Sequence, residues 1–126
     1  MGKKRPKNAR EEVRAVLSAV AGAAEPIAAV RWRDATGITS DILAKDAIGD
    51  WIELEVLSAG WLIHVSRTGL ALAQDKMIRN GQTAFRNTLW IPSPNVVEIA
   101  VFTQSGMLDI DPFELFDASN FPVEED

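Results

Sequence analysis

His64 is the single histidine of the chain, and Asp109-x-Asp111 is a carboxylate pair spaced to suit a divalent cation. A lone imidazole can act as a general base. It then needs a nucleophile, and no serine sits in a Gly-x-Ser-x-Gly elbow. Alternation along its strand puts His64 opposite Trp61, Ile63 and Val65, which suits a sheet-face or edge histidine. Asp109 and Asp111 lack a recognisable third ligand, and Asp111 is better spent capping a helix. They leave a metal-dependent enzyme as a remote alternative. Phosphate-cradling motifs of the Gly-x-x-x-x-Gly-Lys-Ser/Thr and Gly-x-Gly-x-x-Gly types do not occur. Cysteine is absent too, which excludes disulfides, thiolate metal sites and cysteine nucleophiles. The expectation is a chain with no cofactor and no catalytic group.

Groups suited to binding are easier to find. Lys3, Lys4, Arg5 and Lys7 form a basic arm over residues 1–7, and Arg10 and Arg14 extend it by one helical turn. Such an arm attracts phosphates or an acidic protein. Yet the chain carries −5 overall, and residues 104–126 hold seven acids and no base. That balance weakens a nucleic-acid reading. It favours docking of the basic start on the acidic end of a neighbouring copy, a head-to-tail contact. Glu53 and Glu55 share a strand face with Trp51. That pair of acids, with Trp51 and with Trp90 before a proline turn, makes the expected surface for a protein partner. Tryptophan in a small domain is still more often core than interface. Arg31-Trp32-Arg33 resembles a stacking platform, but alternation turns Trp32 toward the face of Val30 and so into the core.

The elements that must position these groups follow from periodicity. Asn8 is read as a helix N-cap with Glu11 at the capping-box spacing. Val13, Val16, Leu17 and Val20 then make one apolar stripe, giving an amphipathic helix over 9–24. Residues 27–33 alternate as a strand. Ser40 and Gly49 bound a short helix over 40–48. Trp51–Leu57 and Trp61–Arg67 read as two strands joined tightly at Ser58-Ala59-Gly60, a hairpin. Over 69–81, Leu70, Ala73 and Met77 have helical spacing and Asn80-Gly81 resembles a C-cap, so a middle helix is preferred. A turn at Arg67-Thr68-Gly69 into another strand is the alternative. Phe85–Ile91 and Val96–Thr103 are strands, the second apolar on both faces and therefore central. Asp111-Pro112-Phe113-Glu114 starts a short helix that ends near Asn120.

The 126 residues therefore form one α+β domain over 8–121, flanked by the arm and an acidic tail over 122–126. Its expected architecture is an antiparallel sheet of about five strands, with helices on one face. No stretch approaches a membrane span, and the acids at the edge of the Ala-rich segment argue against a signal peptide. The setting expected is cytoplasmic, or a virion if the chain is phage-encoded. The function expected is a non-enzymatic interaction or assembly protein that binds a partner or itself. Nucleic-acid binding through the arm is the alternative.

Overall fold

The computed structural model describes residues 6–34, 54–104 and 106–122, with the backbone alone at 6–8 and 54. Helix α1 spans Pro6–Ala21, followed by strands β1 (Ile27–Asp34), β2 (Leu54–Ser66), β3 (Gly69–Arg79) and β4 (Gln82–Pro92). A 3₁₀ turn at Ser93–Asn95 leads to β5 (Val96–Thr103), β6 (Gly106–Ile110), helix α2 (Pro112–Leu115) and a last 3₁₀ turn at Ala118–Asn120. All six strands form one antiparallel sheet in the order β4-β3-β2-β1-β5-β6. The α+β expectation holds, with six strands in place of about five.

The sheet curls. Four inter-strand spacings separate β4 from β5, about 19 Å if flat, whereas the four steps from Pro92 to Val96 reach about 14 Å at most. The 3₁₀ turn closes the gap. Its Ser93 amide donates to the Thr68 carbonyl, and the Asn95 side-chain amide donates to the Arg33 carbonyl at 2.6 Å. The core fills the concave side: Ala28, Val30 and Trp32 of β1, Leu62 of β2, Leu70 and Leu72 of β3, Ile91 of β4, and Ile99 and Val101 of β5. Val13 and Val16 of α1 and Leu115 of α2 close it. Trp32 is 8% exposed, and its indole N–H donates to Ser58 Oγ at 3.1 Å, as a buried indole requires.

Several expectations need correction. The helix starts at Pro6, where a missing N–H and a preset φ cost nothing, so Asn8 is not its cap. It stops at Ala21, because Ala23 (φ 63°) closes a Schellman motif. The Ala24 amide donates to Ala19 and the Ala23 amide to Val20. The hairpin over 51–67 is one continuous strand from Leu54. Ser58 and Gly60 are small because they face the core opposite Val30 and Ala28, not because the chain turns. The middle helix over 69–81 is strand β3, as the alternative had it. Leu70 and Leu72 both enter the core, a period of two, and Asn80-Gly81, both at positive φ, is a hairpin turn rather than a C-cap. Strand β6 was missed. Asp111 caps α2 as expected, accepting from the Phe113 amide at 3.0 Å. The segment with the short helix over 40–48 lies outside the described residues.

Candidate protein-interaction surface

Both described helices pack on the concave side, so among the described residues no helix covers the outer face of the sheet. Register shows what that face carries. Met107, Phe102, Ile27, Trp61 and Ala73 stand opposite one another in a row across β6, β5, β1, β2 and β3. Beside it run Asp109, Ala100, Ala29 and Ala59, and then Glu98, Arg31 and Leu57. Leu57 is 73% exposed, Met107 55%, and Phe102 and Ile27 44% each. Scattered exposed apolar side chains are ordinary on a folded chain; a contiguous set on one face marks a contact surface.

The alanines make a floor. A shallow groove of about 340 Å³ lies over Ala29 and Ala100, edged by Leu57, Arg31, Glu98 and Asp109. A second depression of about 410 Å³ adjoins it at Val97 and Pro112 and runs beneath Phe113, which is 89% exposed. At the groove edge Arg31 bridges two strands. Its guanidinium meets Glu98 at 2.9 Å and Glu55 at 3.1 Å. Hydrogen bonds that Arg31 donates to Glu98 and then to Glu55, with the negative charge of both, push its pKa further up from its ordinary value. With Asp109 added, the groove is acidic.

No family model, curated protein or solved structure matches this chain.

Of the residues expected to bind a protein, Glu55 joins the groove cluster. Trp90 lies on the same outer face but apart from it, against Gly69 on β3 and 6.2 Å from the His64 ring. Gly69 is required there, since a Cβ would stand 2.6 Å from the indole. Trp51 and Glu53 lie outside the described residues. His64 shares its face with Trp61, not the opposite one, because a bulge at Ile63 shifts the register by one. Lys3, Lys4 and Arg5 lie outside the described residues, and Lys7 falls in the first turn of α1. Arg10 and Arg14 are exposed on that helix. Arg10 works partly within its own fold. Asp117 is held below the usual carboxylate range, first by the Ser119 amide it caps, then by the Ser119 hydroxyl, and also by the Arg10 charge. Asp111 spends its carboxylate on the cap while Asp109 faces the groove, and among the described residues no three acids or histidines gather as a metal site. Leu57, Phe102 and Met107 were missed as surface anchors. Only Phe102 carried a signal, as part of a strand apolar on both faces, which reads equally well as complete burial.

Proposed function

We propose that this chain is a non-enzymatic interaction or assembly protein that holds another protein chain against the outer face of β1, β5 and β6. The observation that carries this reading is the row Met107, Phe102, Ile27 and half-buried Trp61 beside the alanine-floored groove, its first three members exposed and no helix among the described residues over it. An apolar centre with a charged rim is the usual anatomy of a protein interface. The Arg31–Glu55–Glu98 cluster supports it further. Its side chains are already ordered, so a partner meets a preorganised polar edge. Nucleic-acid contact through the basic arm has only charge behind it, and the chain's net charge opposes it.

A photoreactive residue placed at Phe102 tests the proposal, with Arg14 on α1 as the control position. Protein adducts at 102 that vanish in Leu57→Asp, with none at 14, are expected. Equal adducts at both positions, or none at 102, overturn it.

A further inference from the structure

Beyond Ala73, strand β3 leaves β2 and pairs with β4 alone. Asp75 faces Arg86, Lys76 Phe85, Met77 Ala84, Ile78 Thr83 and Arg79 Gln82. At the point of departure Gln74 donates to the Ala59 carbonyl at 2.9 Å, and opposite it Asn87 adopts φ 58° and bends β4. The result is a two-stranded ribbon projecting from the sheet. Such a ribbon alone is marginal in water. This one exposes Ile78 (71%) and Met77 (38%) near its tip. It is also basic. Arg86 leans on Asp75 at 3.5 Å, while among the described residues Lys76 and Arg79 have no acidic partner.

We propose that the ribbon of one copy seats in the acidic groove of another copy, a head-to-tail contact. This rests on the reading of the outer face as a protein-binding surface and names its occupant. The two surfaces complement each other. Ile78 meets Leu57, Pro112 and the alanine floor, and Lys76, on the same face of the ribbon, meets Asp109 and the Glu98 edge. Their sizes agree as well: five cross-strand pairs extend about 17 Å, and the face from β2 to β6 spans about 14 Å between strand axes. Within one molecule the ribbon does not fill the groove: none of its residues lines it. Each molecule therefore donates a ribbon and accepts one, which builds open chains or a closed ring.

Two variants test this by light scattering: Ile78→Asp with Lys76→Glu on the ribbon, and Leu57→Asp with Asp109→Lys in the groove. All four positions are outside the core, and circular dichroism with thermal unfolding checks that both variants stay folded. The wild type should gain mass with concentration, and each variant alone should stay monomeric. An equimolar mixture should give a two-chain complex and nothing larger, because only one intact ribbon–groove pair remains. A ribbon variant that associates like the wild type, or a mixture that stays monomeric, overturns the proposal. So does a wild type that stays monomeric at millimolar concentration, or one whose ribbon retains duplex DNA instead. None of these outcomes touches the adduct test at Phe102, so failure of the occupant is distinguishable from failure of the face.

Discussion

Two residue-scale features show how narrowly side-chain identity is chosen. Ala23 sits at φ 63° in the Schellman turn that ends α1, where a Cβ is a steric cost and glycine is the common choice. Ala23→Gly should raise stability by about 0.5–1 kcal/mol, relief of that strain outweighing the entropy of the freer unfolded chain. Denaturant unfolding reads this directly, and an unchanged midpoint contradicts it. The second feature is Arg31, held between Glu55 and Glu98 on an exposed face. Ion pairs in water contribute little to folding. Arg31→Leu should therefore leave thermal unfolding nearly unchanged while altering association, because the two carboxylates then repel each other at the groove edge.

Among the elements, β2 does most to shape the molecule. Its small residues allow the curl: a Cβ at Gly60 would stand 2.4 Å from the Ala73 carbonyl oxygen. Gly60→Ala forces two backbones apart and should cost about 1–3 kcal/mol, the usual range for overpacking. Circular dichroism on heating checks it, and a midpoint equal to the wild type's would show that β3 does not cross there. The ribbon behaves oppositely. No core residue lies between Lys76 and Phe85. Excising that stretch and rejoining Asp75 to Arg86 through Asn-Gly should leave the fold intact and its unfolding midpoint close to the wild type's, while self-association is lost.

At the scale of the whole molecule, charge is divided between two surfaces as well as between the ends of the chain. The ribbon is basic and the groove acidic, so association should weaken as salt rises from low to several hundred millimolar, the range over which the Debye length falls well below 10 Å. Sedimentation at graded ionic strength measures this. Association that strengthens with salt would mean that apolar burial alone drives the contact. No helix among the described residues is long and apolar enough to cross a membrane, which leaves strands unaddressed.

Much was legible in the residues themselves. The stripe through Val13 and Val16, the burial of Trp32, the strand over Val96–Thr103 and the Asp111-Pro112 cap each depend on neighbours a few positions away, which periodicity and capping chemistry encode. Tertiary structure decided what depends on distant partners. Ser58-Ala59-Gly60 reads as a turn until Trp32 and Ala73 arrive to require small residues there. Asn80-Gly81 serves a C-cap or a hairpin equally well until Leu70 and Leu72 find the core. The outer face follows the same logic: a strand apolar on both sides does not reveal which side remains uncovered. Only the placement of α1 and α2 settles that, because burial is a property of what packs against a side chain and not of the side chain alone.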